Sequence, residues 1–545
     1  MKSLSDIFIK DLFDKGVDTF FGLQGGACAR LIESVVKLGG TFHPVLNEQA
    51  SGYAAHGYYL ANKKPAGLIF TTGPGLTNGV SGIAACFYDR IPLVAIVGQV
   101  PKSSNIAKKT KTRMVGFQEV QHLDITKPIS DLSFKIDSLE HYKKNRKKIF
   151  DEKFIKKTSV FEFPDDVQRT KTNYLPLIKL NRAKSETNIN KNKFSLIEKF
   201  FQKSKNIFFI AGSGYVNSNK IEQSNKIFKK RSLNLGLTWG AQSLQSNKGL
   251  NTLGLFGNHS PGKLNKFLKN ADLVIAMGAS LLQHQTLKIK KDFSKNAKII
   301  FINSSLNECK RARQQFGKRL IYINCDCHDF LRIAERKKFF NKIPKQNLEG
   351  KNFNHSNITP VHTLKIFLSK IDTKKSIIFS DAGATLSWSY QASNLLKHCA
   401  PIYTSFNLHT MGYANCAGVG AALTKKKDIY VIIGDGSLPM NSQELAWLDK
   451  YKVKLIIIDN SGYAIIRQTQ KQFYSSNFLA SDFKNKHSKM PSFSVTKILT
   501  SFNLKHKIIK SGKIKKSEIN QFIKSKKSEA IILKTNYFAS VQDDN

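Results

Sequence analysis

Gly434-Asp435-Gly436-Ser437 follows directly on the apolar run Ile429-Tyr430-Val431-Ile432-Ile433, and a second such run, Val453 to Ile458, ends in Asp459-Asn460-Ser461-Gly462. Both runs have the length and β-branched content of buried strands. A strand–helix–strand connection is right-handed by default, so the two strands are expected to lie side by side and parallel. Their C-terminal ends then bring Asp435 and Asn460 together across 460 − 435 = 25 residues. A hard divalent cation wants oxygen ligands and shares them with phosphates. Asp435 offers charge, Asn460 a neutral oxygen, and a nearby main-chain carbonyl a third donor. Gly434 and Gly436 let the main chain approach a diphosphate, and the N-terminus of the next helix favours its negative charge. Asn441, three residues before Glu444, has capping-box spacing. A Gly-Asp-Gly turn alone is common; Asn460 at the end of the next strand makes the pair specific.

A second chemical residue lies near the start of the chain. Phe42-His43-Pro44-Val45-Leu46-Asn47-Glu48 puts a carboxylate just after a strand and at the start of a helix. A lone Glu there is ordinarily a surface residue favoured by the helix dipole. Some twenty residues downstream, Leu68-Ile69-Phe70-Thr71-Thr72-Gly73-Pro74-Gly75 reads as a strand entering a tight turn. By contrast, Cys325-Asp326-Cys327-His328 directly follows a strand-like run and has no second ligand pair nearby, so it reads as a strand end with inert thiols.

The elements that must position these residues alternate strand-like runs with helical periodicity, the pattern of α/β units with parallel sheets. Two polar stretches, Thr170 to Lys193 and Lys337 to Asn357, read as linkers. They divide the 545 residues into three doubly wound domains, 1–168, 190–335 and 358–545. Ile207-Phe208-Phe209-Ile210-Ala211-Gly212-Ser213-Gly214 lacks the third glycine of a dinucleotide fingerprint. The formal charge of +47 is spread along the chain with many Ile, Asn and Phe residues, which speaks for a solvated surface and against a nucleic-acid stripe. Seven cysteines without a regular framework, no signal-peptide pattern and no apolar run near the roughly 20 residues of a membrane span make a cytoplasmic location the expectation.

With its spacing, Gly434-Asp435-Gly436 to Asn460 resembles the thiamine-diphosphate (ThDP) motif of the acetolactate synthase and pyruvate decarboxylase superfamily. Phe21-Gly22-Leu23-Gln24-Gly25-Gly26-Ala27, the Gly73-Pro74-Gly75 turn, Asp89-Arg90-Ile91-Pro92, Gly98-Gln99-Val100 and Phe117-Gln118-Glu119 resemble the pyrimidine-binding domain of acetolactate synthases. The resemblance implies a pyrimidine-binding first domain, a central domain and a diphosphate-binding third domain. It implies Mg2+ held by Asp435, Asn460 and the main-chain oxygen of Gly462. Met411, in Thr410-Met411-Gly412-Tyr413, would wedge under the coenzyme; Gly434, Gly436, Ser437 and Thr385 would line the diphosphate; Gly25 and Gly26 would let backbone approach the ring. Glu48 would hydrogen-bond the pyrimidine and start proton transfer, and Gln118 would orient substrate. Since Glu48 reaches coenzyme held by another subunit in this family, a homodimer or homotetramer is expected.

The resemblance implies decarboxylation of a 2-oxo acid such as pyruvate and transfer of the acyl fragment to an acceptor. Simple decarboxylation and a non-catalytic basic binding protein are the alternatives. Several positions depart from the pattern. The first of the family's two asparagines is Asp459, its Gln-His pair is Ala384-Thr385, and the His before the catalytic Glu is Asn47. The family's Gly-Ala-Arg is Gly278-Ala279-Ser280, which removes a residue expected beside FAD and leaves flavin binding open. The tryptophan that favours 2-oxobutyrate as acceptor aligns with Thr469, leaving room for a bulkier acceptor such as a keto-sugar.

Overall fold

The computed structural model describes residues 2–173, 191–257, 263–282, 296–343, 359–474, 477–483, 491 and 493–541. Three six-stranded, wholly parallel sheets account for nearly all the strands among them, and each is flanked by helices. The chain is thus α/β with three doubly wound domains, as the alternating pattern predicts.

The first sheet comprises β1 (Thr19–Gly22), β2 (Thr41–Pro44), β3 (Ala66–Phe70), β4 (Leu93–Gln99), β5 (Leu132–Lys135) and β6 (Thr158–Pro164), in the order β2-β1-β3-β4-β6-β5. Helix α1 (Glu48–Asn62) connects β2 to β3, and α2 (Pro74–Tyr88) connects β3 to β4. The central sheet comprises β7 (Ile207–Ala211), β8 (Asn234–Leu237), β9 (Asn251–Leu255), β10 (Leu273–Met277), β11 (Lys298–Asn303) and β12 (Leu320–Asn324), ordered β9-β8-β7-β10-β11-β12. Its glycine turns pack on one another: a Cβ at Gly212 would lie 2.3 Å from the Gly278 carbonyl oxygen. This close approach accounts for a glycine there without a nucleotide.

The third sheet comprises β13 (Ser376–Ser380), β14 (Ile402–Tyr403), β15 (Asp428–Gly434), β16 (Val453–Asp459), β17 (Lys505–Lys510) and β18 (Glu529–Lys534), ordered β14-β13-β15-β16-β18-β17. Its helices include α3 (Ala384–Asn394), α4 (Tyr413–Ala422) and α5 (Ala464–Phe473). The strand order, counted within the domain, is the same 2-1-3-4-6-5 as in the first. The order reverses direction between β1 and β3 and again between β13 and β15, and open α/β sheets bind ligands at the carboxyl edge of such points.

The first and third domains meet through equivalent helices, α1 and α4. Added Cβ atoms at Gly57 and Gly420 would sit 2.0 Å from the Ala417 oxygen and 1.9 Å from the Ala54 oxygen, so both glycines are required by backbone contact. Tyr53 on α1 also meets Tyr413 at the start of α4, with ring centroids 5.7 Å apart, so the two helices cross at close range. His56 and Asp89, both buried, are 3.2 Å apart, and the Tyr413 hydroxyl lies 2.8 Å from the other ring nitrogen of His56. Asp89 also accepts the Phe406 and Asn407 amides, fastening the two domains over a second stretch.

The linker expectations lie largely outside the described residues. Of the first, Lys171–Thr172 pair antiparallel with Lys2–Ser3 and so belong to the first domain. At the start of the second, Phe339 and Phe340 are buried in the core, because the apolar rings outweigh the polar composition around them. No described helix is long and apolar enough to cross a membrane. All seven cysteines are buried and unbridged.

Candidate active site

At the carboxyl edge of β15 and β16, Asp435 is buried and takes up the amides of the neighbouring turns. Its Oδ1 accepts the Gly436 N–H at 2.8 Å, and its Oδ2 accepts those of Asn460 at 3.1 Å and Gly462 at 3.2 Å. The parallel pairing of Gly434 with Ile458 sets this encounter. Burial, and then the neighbouring Asp459 carboxylate, raises the Asp435 pKa above the usual range, while the donated amides work the other way. Asp459 itself forms an ion pair with Lys534, its parallel partner on β18. The carboxylate that departs from the family pattern therefore has its own counter-charge.

Asn460 Oδ1 is buried without a hydrogen-bond partner. An orphaned buried oxygen costs roughly 1–3 kcal/mol unless something binds it. Beside a buried carboxylate, a hard cation suits that oxygen, so Asp435 and Asn460 fit Mg2+. Around them, Thr385 on α3 lies under Gly434, where an added Cβ would be 3.1 Å from its Oγ1. Gly436 has no room for a side chain because the Tyr463 ring would be 2.3 Å away. Ser437 hydrogen-bonds Asp381.

Asp381 belongs to no motif in the sequence, yet it organises this edge. Fully buried after β13, it accepts the amides of Ala382 (2.9 Å), Gly412 (3.1 Å) and Ala414 (2.9 Å). The Thr410–Gly412 turn, with half-buried Met411 in it, is thereby fixed to β13. Burial pushes the Asp381 carboxyl up to about 6. Asn441 and Glu444 do not form the expected capping box. The chain kinks at Asn441, whose amide donates to the Gly412 carbonyl at 3.2 Å and to Gln49 Oε1 at 3.3 Å. Glu444, pushed up to about 7 by burial, accepts the Leu46 amide at 2.8 Å. Contacts between domains win over the local rule here.

The second group of residues lies at the carboxyl edge of the first sheet. Glu48 is buried at the first turn of α1, and Asn78 on α2 donates to its Oε2 at 3.2 Å. Gly25 is explained by Thr71, whose Cβ would lie 2.5 Å from an added one, whereas Gly26 faces open space. Gln118 has a left-handed backbone (φ 63°), which is unusual for a residue with a side chain and commonest at functional sites. The Thr72 hydroxyl donates to the Gln118 carbonyl at 2.9 Å. His122 Nε2 lies 3.0 Å from the Gly73 amide, which can only donate, so the ring proton sits on Nδ1, facing Glu162 at 3.0 Å.

The structure brings Asp435, Asn460, Gly462, Ser437, Thr385 and the Met411 turn to one edge, and Glu48, Gly25, Gly26 and Gln118 to another. Residues flanking Glu48 reach the third domain: Leu46 donates to Glu444, and Gln49 shares the Asn441 side-chain amide with the Gly412 carbonyl, at 3.3 and 3.2 Å.

Comparisons with known proteins agree with the three-domain order. Three family models match in chain order: the thiamine pyrophosphate enzyme N-terminal TPP binding domain at residues 2–125, its central domain at 196–332 and its C-terminal TPP binding domain at 381–532. The chain belongs to the thiamine pyrophosphate enzyme family. Among curated relatives it is similar to the acetolactate synthase large subunit of Buchnera aphidicola subsp. Acyrthosiphon pisum, with 26% identity over 500 residues, 86% of this chain and 84% of that one. The acetolactate synthase large subunit of Lactococcus lactis subsp. lactis matches at 26% over 489 residues, 86% and 83% of the two chains. The chloroplastic acetolactate synthase of Arabidopsis thaliana matches at 27% over 519 residues, 87% and 72%. The protein is accordingly a ThDP-dependent enzyme of the acetolactate-synthase-like group.

Proposed function

We propose that this enzyme decarboxylates a 2-oxo acid, pyruvate or a close analogue, and transfers the acyl unit to an acceptor, using ThDP anchored through Mg2+. The observation that carries this reading is the unpartnered Asn460 oxygen beside buried Asp435, at the carboxyl edge where the third domain's strand order reverses. Asp435, Asn460 and the Gly462 carbonyl would hold the cation, with Thr385, Ser437 and the amides of the Gly434–Gly436 turn facing the diphosphate. When bound, ThDP supplies an electron sink for the bond to the departing CO2. Glu48 would exchange a proton with the pyrimidine ring through its carboxylate, which Asn78 orients at Oε2. Gln118 would orient the substrate, and the Met411 turn, held by Asp381, would support the coenzyme from below.

As the family resemblance implies, the complete site would take Glu48 from a second copy. Leu46 and Phe117, next to Glu48 and Gln118, are 54% and 82% exposed, and Phe473, at the end of α5 in the third domain, is 75% exposed. Apolar side chains left bare beside both half-sites suit burial between protomers. Thr469, where the family has a tryptophan, is exposed and bonds only its own helix, to the Ile465 carbonyl. That opening favours an acceptor bulkier than 2-oxobutyrate.

Incubation of the purified protein with ThDP, Mg2+ and pyruvate, alone and with keto-sugar acceptors, tests the reading by mass spectrometry of the products. A ligated product is expected; acetaldehyde alone would make it a simple decarboxylase. ThDP with Mg2+ at 100 times Kd should also add about 2.7 kcal/mol of native-state stability. The melting temperature should rise by several degrees, and no rise would overturn the proposed coenzyme site.

A further inference from the structure

Beyond its two direct side-chain donors, the proposed metal site depends on a turn with two successive positive φ angles. Ser461 has φ 62° and Gly462 φ 136°. Glycine adopts such backbone freely, but a serine holds it only where its surroundings over-determine it. Asp435 grips the turn from one side through the Asn460 and Gly462 amides. From the other side comes Arg467, on the second turn of α5, whose side chain is buried.

The Arg467 guanidinium donates to main-chain carbonyls. Nη2 reaches the Asn460 oxygen at 3.0 Å and the Tyr537 oxygen at 2.9 Å; Nη1 reaches the Ser461 oxygen at 3.1 Å and the Ser481 oxygen at 3.4 Å. Its Cζ lies over the Tyr537 ring, 4.0 Å from the centre. A planar fork with five donors can bridge diverging carbonyls in this way, and an ammonium cannot. These bonds take up the Asn460 and Ser461 carbonyls, and Asp435 takes up the Asn460 and Gly462 amides. Among the turn's oxygens, these bonds leave unused Asn460 Oδ1, the Ser461 hydroxyl and the Gly462 carbonyl, and Asn460 Oδ1 is the one that is buried without a partner.

We propose that Arg467 is a positioning residue for the divalent cation: by occupying the Asn460 and Ser461 carbonyls it holds the turn in the one conformation that leaves Asn460 Oδ1 and the Gly462 carbonyl to the metal. The inference rests on the metal reading of Asp435 and Asn460 under Proposed function. It also accounts for a buried cation beside a site meant for another cation. The guanidinium charge is spent on main-chain carbonyl dipoles and on the Tyr537 ring, so it supports the ligands without bonding to their donor oxygens.

The test uses the full-length protein with ThDP and Mn2+ as the probe ion, free Mn2+ being followed by its electron paramagnetic resonance signal. Wild type, Arg467→Met, Arg467→Lys and Asp435→Asn are titrated, and near-ultraviolet circular dichroism of each apoprotein checks its fold. Replacing an outer partner of a metal ligand typically weakens metal binding ~10–100-fold, and Arg467→Met is expected to fall in that range. Arg467→Lys keeps charge and bulk, so it should fold if Arg467→Met does not, yet it should still bind Mn2+ at least about tenfold more weakly, since one ammonium cannot span both carbonyls. Wild-type affinity in folded Arg467→Lys or Arg467→Met would overturn the positioning role. Failure of the wild type to bind Mn2+, or undiminished binding by Asp435→Asn, would instead overturn the underlying metal site.

Discussion

Glu48→Gln is expected to abolish measurable CO2 release from pyruvate while leaving Mg2+ and ThDP binding near wild type. General acid–base groups typically contribute 10²–10⁴-fold, so a drop of about that size is the expectation. The change is nearly isosteric at a buried position and keeps an oxygen for Asn78 to donate to. What it removes is the capacity to exchange a proton. The ligands assigned to the phosphate end lie on the third domain and Glu48 on the first, so binding has no reason to fail with turnover. Single-turnover CO2 measurements beside calorimetric ThDP titration separate the two. Turnover equal to wild type would remove Glu48 from the chemistry.

Asp435→Asn is the complementary case, in which binding itself should be lost. Asp435 receives three amides, and two of them, from Asn460 and Gly462, converge on one oxygen. Asparagine has one acceptor oxygen, so its NH2 must face amide donors on the other side. Hydrogen bonds to charged groups are worth about 1.5–3 kcal/mol, and a tenfold change in affinity corresponds to about 1.4 kcal/mol. Losing one such bond together with the ligand's charge should weaken Mg2+ binding by ~100-fold or more, and the stabilisation by ThDP should vanish at ordinary Mg2+ concentrations. Thermal unfolding with and without the two ligands reads this directly. An unchanged ligand-induced rise would show that the carboxylate is structural only.

Much of this was legible in the sequence because it depends on local chemistry at strand ends. The Gly434–Gly436 turn, Asn460 after the next strand and Glu48 at a helix start could all be placed from apolar runs and the handedness of crossovers. Residues whose importance comes from distant partners were not legible. Asp381 looks like any acid after a strand until the Gly412 and Ala414 amides fold onto it from some thirty residues on. Nothing in the sequence marks Arg467, which becomes buried where the chain returns at Tyr537, 70 residues later. Asn441 and Glu444 matched a capping rule and were claimed instead by Gln49 and Leu46, nearly 400 residues away in sequence. Gly25 suggested close approach to a coenzyme, whereas Thr71 already fills that space.

The glycine seam between α1 and α4 has a consequence for how the protein behaves when scarce. Its backbone contacts leave no space for a side chain at Gly57 or Gly420, so the first and third domains of one chain keep a fixed mutual arrangement. If, as proposed, each coenzyme takes Glu48 from one chain and Asp435 from another, a solitary chain is inert however well it folds. Specific activity should then fall on dilution with no accompanying loss of helix signal, and recover on reconcentration, so output would follow the odds of two molecules meeting. Specific activity that stays constant far below the concentration at which only single chains remain would show that one chain suffices.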